Sequence, residues 1–239
     1  MIKKILITGA ILAAAFSIPA IADDSAGFGS FSEGYRVGQI TKFSVKGLMT
    51  KSGEGQMLVG RESSPYIKTY SCGDSTCQKR INPWHFSASM NKAKQIQAKA
   101  GEYAIIKYNQ AQVRNALKYD TDYMVESVMD IKRNVQPPNC TASNLPEASK
   151  SDGVRVGRLT KVSNKGHLNK TYEAQMQVGN SGSQFKNFTL YDKAMFDCAV
   201  SVLMTAKKVK IYYTEMWFRV PFSADTNYAI TKIEVPQDI

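Results

Sequence analysis

Apolar and polar residues alternate over Ala104, Ile106 and Tyr108, and the same two-residue period returns at Val209, Ile211 and Tyr213. Such alternation predicts strands with one buried face. Earlier in each half, Tyr35 to Phe43 and Val154 to Val162 are rich in β-branched and aromatic residues. Val37 and Ile40 cannot share a face of a regular strand, so the phase slip after Gly38, and after Gly157, predicts a β-bulge. "VKG" and "NKG" read as turns into second strands that run to Gly60 and Gly179. Their apolar parity is Met49, Met57, Val59 in one and Leu168, Tyr172, Ala174, Met176, Val178 in the other. The period then changes: Met90, Ala93, Ile96 and Ala100, and likewise Met195, Cys198, Val202 and Ala206, recur at helical spacing. Ser87 and Asp192 are the expected N-caps, and Gly101 ends the first helix. Final strands carry Tyr123, Val125, Val128 and Tyr228, Ile230, Ile233.

The parallel between halves is written in the letters. "EGYRVGQITKFSVKGLMTKSGEGQMLVG" (Glu33 to Gly60) returns as "DGVRVGRLTKVSNKGHLNKTYEAQMQVG" (Asp152 to Gly179) at an offset of 119. Further on, Tyr108, Arg114, Asp120, Thr121 and Tyr123 match Tyr213, Arg219, Asp225, Thr226 and Tyr228 at an offset of 105. The first half therefore holds about 14 extra residues between Gly60 and Trp84, where Cys72 and Cys77 lie. The expected organisation is a signal peptide at 1–22, one repeat at 33–135, a Pro- and Ser-rich linker at 136–151 and a second repeat at 152–236.

Each repeat reads as strand, strand, a weakly marked third strand, helix, strand, strand. A bulged first strand with a helix between strands three and four is what a five-stranded Greek-key barrel of the OB type needs. The expected fold class is mainly β with one helix per repeat, as two tandem OB-like barrels; a duplicated small β-sandwich plus helix is the alternative. The element order resembles the small exported OB-fold domains of bacterial envelopes. The phrase G-x-R-x-G-x-x-x-K-x-S-x-K-G, followed by a K-x-x-E strand, resembles a group of short uncharacterised exported proteins from bacteria and their mobile elements, and that resemblance implies no activity.

"MIKKILITGAILAAAFSIPAIADD" has a basic start, a short apolar run and Ala20-Ile21-Ala22, the features of a secretory signal cleaved after Ala22. Localisation in the periplasm, or secretion, is expected. Past that point 29 basic residues stand against 20 acidic ones, spread evenly and without a basic tail, a balance that favours anionic partners. Four cysteines in an oxidising compartment predict two disulfides. Cys72 and Cys77 bracket a turn-prone Gly-Asp-Ser-Thr and are expected to pair locally. Cys140 would then join Cys198 and pin the linker to the second repeat.

Chemistry is sparse. The chain lacks G-x-S-x-G, H-E-x-x-H, P-loop and dinucleotide glycine patterns. His85 and His167 lie in different repeats without metal-ligand spacing, so no catalytic residue, metal or cofactor is expected. What recurs is a polar set: Arg36, Lys42, Lys46 and Lys51 against Arg155, Lys161, Lys165 and Lys170, with Glu54 against Glu173. The cations are the candidate contacts. Lys51 and Lys170, on the apolar parity of strand two, either reach an anionic ligand from a barrel mouth or pair with Asp120 or Asp225. Tyr103, Tyr108, Tyr119, Tyr123 and "YYTEMWFR" interleave with cations as stacking residues would. Alternation nevertheless places Tyr108 and Tyr213 inside, and Trp217 and Phe218 are expected in the core, so nucleic acid is disfavoured. The expectation is a non-enzymatic periplasmic protein that binds another envelope macromolecule, in the first place a protein, as part of a secretion or conjugation apparatus or as an exclusion or inhibitor protein. The alternative is a binding module for an anionic glycan or lipid headgroup.

Overall fold

The computed structural model describes residues 27–48, 50–60, 67–72, 75–80, 83–145, 149–166, 170–178, 184–218 and 224–236. The expected signal segment at 1–22, His167, Arg219 and the side chains of Cys72 and Cys77 lie outside the described residues.

The opening of the first half, with its β-branched and aromatic residues from Tyr35 to Phe43, forms one long strand, β1 (Gly27–Lys46), which turns at Gly47 into β2 (Ser52–Val59). A separate hairpin of β3 (Ile67–Cys72) and β4 (Ser75–Arg80) occupies the stretch found only in the first half. β5 (Pro83–Ala88), α1 (Met90–Ala98), β6 (Tyr103–Arg114) and β7 (Tyr123–Met129) follow. β1 pairs with β2, β2 with β5, β5 with β7 in parallel, β7 with β6 and β6 with β1, which closes a ring of five strands. After the two-residue β8 (Cys140–Thr141), the same order recurs: β9 (Ser149–Lys165), β10 (Thr171–Val178), β11 (Phe185–Leu190), α2 (Lys193–Leu203), β12 (Lys208–Met216) and β13 (Tyr228–Glu234). These strands close a second ring by the corresponding pairings, again with one parallel contact, β11 to β13. The described chain is thus mainly β with two helices, and none of its helices is long and apolar enough to cross a membrane.

The rings are joined edge to edge. Ser32 to Arg36 of β1 pairs antiparallel with Lys161 to Lys165 of β9, making one continuous sheet. Gly34 lies opposite Ser163, and a Cβ there would stand 2.6 Å from both the Ser163 Cβ and the Val162 carbonyl oxygen, so the strands approach this closely only because Gly34 has no side chain.

This junction explains a strand that alternation alone misreads. Ile40 points into the first ring with Met57, Phe86, Ile106 and Tyr108, while Val37 points out of it. Val37 and Ile105 are fully buried because they join the core of the second ring, with Leu159, Val202 and Ile211. Burying each contributes about 1.5–3 kcal/mol. No bulge is needed at Gly38 or Gly157. Those glycines face partner carbonyls, Leu58 at 2.2 Å and Gln177 at 2.0 Å from a hypothetical Cβ. The register shifts instead at Thr41 and Thr160, whose hydroxyls donate to the Gln56 and Gln175 carbonyls.

Three further expectations are corrected. Ser87 lies inside β5, and the N-cap of α1 is Ser89; Asp192 does cap α2, accepting from the Met195 amide at 2.6 Å. Met90 is exposed, leaving Ala93 and Ile96 as the buried face of α1. Trp217 and Phe218 are 59% and 81% exposed, because β12 leaves the ring at the buried Met216.

Cys140 and Cys198 form a disulfide with Cα atoms 5.9 Å apart, and β8 pairs with β13, so the connecting segment is fastened to the second ring. The bond spans 58 residues, for which loop-closure entropy gives about 4 kcal/mol. Replacing both Cys140 and Cys198 with serine is expected to lower the unfolding free energy by about 2–4 kcal/mol in a urea titration. An unchanged midpoint would show that the connection contributes nothing.

Candidate functional site at the junction of the rings

Each ring closes through a single parallel contact, and beside each contact sits a buried carboxylate on the outer wall. Glu54 of β2 accepts hydrogen bonds from the Ser52 hydroxyl at 2.9 Å, the Ser87 hydroxyl at 2.7 Å and the Asp120 amide at 3.3 Å. Ser87 in turn accepts from the Thr121 amide, and Thr121 donates to the Tyr123 carbonyl. The node ties the β6–β7 loop to β2 and β5. Glu173 of β10, Thr189 of β11 and Thr226 repeat the arrangement, with the Asp225 amide donating to Glu173 at 3.1 Å. Ser87 thus corresponds to Thr189, 102 residues on, whereas the offset of 105 between the halves sets it against Asp192.

The two nodes differ in a way that changes their chemistry. In the second ring the Thr171 hydroxyl donates to the Lys165 carbonyl and Thr189 to the Thr226 carbonyl, so these hydroxyls are turned away from Glu173. Burial, little offset by hydrogen bonds, raises the Glu173 carboxyl to about 7, against the opposing pull of Lys165 and Lys161.

Lys46 pairs with Asp120, and Lys165 with Asp225, in corresponding positions. This corrects the expectation for Lys51 and Lys170 as the partners of those aspartates. Both lysines are exposed just ahead of their strands, and Lys170 only approaches Glu33, at 3.9 Å. Lys42 is exposed beside Gln56 on the outer wall.

Arg36 sits differently. It shares the inward parity of Gly34 and Gly38, at the level where β1 has left β2 for β9. Its guanidinium carbon lies 4.9 Å from the Trp84 ring centre, 5.7 Å from that of Tyr108 and 5.8 Å from that of Tyr123. These are cation–π distances. On the same face Lys161 is the direct cross-strand neighbour of Arg36, Ser163 of Gly34 and Lys165 of Ser32. Burial pushes the Lys161 ammonium down to about 8, and the charge of Arg36 adds to the shift. Burial lowers Lys165 as well. The junction therefore gathers three of the eight candidate cations, Arg36, Lys161 and Lys165, from both rings. Arg155 has a sparser setting, 5.9 Å from the Tyr213 ring, where Lys186 rather than a tryptophan lies over Tyr228.

A groove of about 560 Å³ opens at the mouth of the first ring, between β5 and the β6–β7 loop. Trp84 and Tyr123 form its aromatic side, and His85, Gln112, Arg114 and Asp122 stand around it. Sequence reasoning found Arg36 but missed its aromatic walls. The available signal was the inward parity of Tyr108, which the register sets opposite Gly34, next to Arg36.

Residues 29–135, which include nearly all of the first ring, match the family model of a domain of unknown function (DUF8785). No curated protein matches the chain. Among solved structures, the chain is similar to a deletion mutant of the single-stranded DNA binding protein from Thermus aquaticus, with 10% identity, coverage of 88% of this chain and 96% of that one, and a TM-score of 0.28. It is also similar to a Replication Protein A heterotrimer bound to ssDNA, with 10% identity, coverage of 94% of this chain and 52% of that one, and a TM-score of 0.23.

Folded Glu173 keeps its proton up to about pH 7, whereas an unfolded glutamate loses it near 4.5. Between those values the folded state binds more protons, so this residue's contribution to stability falls as pH rises from 4.5 to 7 and stays low above it. Glu173→Gln is expected to flatten that part of the urea-midpoint profile; a slope equal to the wild type's would assign the dependence elsewhere.

Proposed function

We propose that this chain is a non-enzymatic exported protein built from two copies of one OB-type five-stranded barrel, and that it binds another envelope macromolecule, a protein, at the mouth of the first ring. The observation that carries the reading is the make-up of the groove there. Trp84 and Tyr123 supply an aromatic centre, and His85, Arg114, Asp120 and Asp122 surround it with both signs of charge. A site for a polyanion is dominated by cations. A protein interface instead sets buried aromatic anchors inside a polar rim.

Position supports the same reading. Greek-key barrels of the OB type bind on the face of strands two and three and with the loops beside them. Here β2 and β5 are the second and third strands of the first ring, and the groove is bounded by β5 and by the loop between its last two strands. The ring order supports the barrel assignment, and the recurrence of Lys46, Glu54, Asp120 and Thr121 as Lys165, Glu173, Asp225 and Thr226 supports descent from one unit.

His85 and Gln112 are exposed on opposite sides of the groove, so charges there change its surface and spare the ring. The wild-type chain is expected to retain a protein from envelope extracts. The double variant His85→Glu, Gln112→Arg is expected to retain about tenfold less of it, the loss that follows from about 1.4 kcal/mol. Equal retention by both chains, or none by the wild type, would overturn this reading.

A further inference from the structure

We infer that the seam between the two rings is a binding site for a tetrahedral oxyanion, phosphate or a phosphate monoester, held by Arg36 of the first ring and by Lys161 and Lys165 of the second, with the Ser163 hydroxyl between the lysines. Trp84 and Tyr123 stand between this site and the groove, but none of its donors lines the groove, and it does not depend on the partner proposed there.

The first support is the register. Arg36 and Lys161 are directly opposite on neighbouring strands, where Cβ atoms stand about 4.5–5.5 Å apart and like charges destabilise the pair. Lys165 follows on the same face, two places along. The residues around them offset this charge only in part, and the pair of Arg36 and Lys161 least. Asp225 is already engaged by Lys165, and Glu173, although it faces Ser163 from β10, is held toward its protonated form. Tyr108 and Tyr123 close the seam from the first ring with aromatic faces and bring no carboxylate to it.

The second support is independent of charge. The Ser163 hydroxyl and the Arg36 Nε are buried and have no hydrogen-bond partner among the described residues. Buried polar atoms in folded proteins are almost always paired, and two orphans on one seam beside three cations fit a place for an anion. The rings of Trp84, Tyr108 and Tyr123 attract the guanidinium through their π faces, and it hydrogen-bonds Tyr123, yet its Nε is left without an acceptor. A phosphate supplies several acceptors at once to arginine and lysine donors, in short charge-assisted bonds. It also removes the reason for Lys161 to shed its proton. The wall of the site is the paired edge of β1 and β9.

The test uses the purified chain in potassium phosphate and in potassium chloride of equal ionic strength. Phosphate is expected to raise the wild-type Tm beyond chloride. Lys161→Met, which removes the like charge facing Arg36, is expected to melt higher than the wild type in chloride, to lose the phosphate-specific rise, and to bind phosphate about tenfold more weakly by calorimetry. A wild-type rise that chloride reproduces, or one that Lys161→Met leaves intact, overturns the site. Lys161→Gln serves as a second variant with the same expected losses. Glycerol phosphate and phosphatidylcholine vesicles doped with phosphatidate separate the sources. Sedimentation with vesicles that Lys161→Met abolishes assigns a lipid headgroup, and binding of glycerol phosphate without sedimentation assigns a soluble monoester. Sedimentation that the variant leaves unchanged, with no phosphate-specific rise, overturns the site.

Discussion

The antiparallel pairing of Ser32 to Arg36 with Lys161 to Lys165 is the contact on which the rest of the molecule is arranged. A five-stranded ring has no free sheet edge inside its closure, so two rings can share a sheet only where a strand outruns its own partner. β1 does this: it pairs with β2 from Gly38 onward, with β9 before that, and with β6 along its other edge. Gly34 admits β9 at the required distance. Once the strands join, the outer face of the first ring is covered, and Val37 and Ile105 become core residues of the second.

The same pairing makes the rings unequal. Both carry a carboxylate, a hydroxyl and a threonine that lock their last loop, and both carry a lysine on the loop aspartate. In the first ring serine hydroxyls turn toward Glu54, and in the second threonine hydroxyls turn to backbone carbonyls and leave burial to hold the Glu173 carboxyl well above the usual carboxylate range. Around the inward arginine the first ring has Trp84, Tyr108 and Tyr123, while in the second Lys186 lies over Tyr228. The two rings thus surround their inward arginines differently, the first with three aromatic rings and the second with a lysine over one of its tyrosines.

The alternation of Ala104, Ile106 and Tyr108, the helical spacing of Met195 and Val202, and the cap at Asp192 were legible because each depends on local periodicity. The pairing of Cys140 with Cys198 followed from counting cysteines and placing one of them on a helix. Val37 was misread because its burial comes from a ring more than a hundred residues away, which no local period records. Trp217 was misread because hydrophobicity says what a residue would gain by burial, not whether the chain provides a place for it. Among the polar residues, recurrence singled out Arg36, Lys161 and Lys165 but could not separate them from Lys46 and Lys51. The register between rings, which makes them neighbours, has no counterpart within either repeat.

Native-state hydrogen exchange tests the central pairing most directly. The amides of residues 32–36 and 161–165 are expected to exchange as slowly as those of Ile106 and Ile211 in the ring cores, through global unfolding. Gly34→Val, which places a branched side chain against Ser163, is expected to release together those amides of both segments that face across the seam, while the amides bonded to β6 and β10 and the cores stay protected. Fast exchange of either segment in the wild type, or full protection of both in Gly34→Val, would contradict the account.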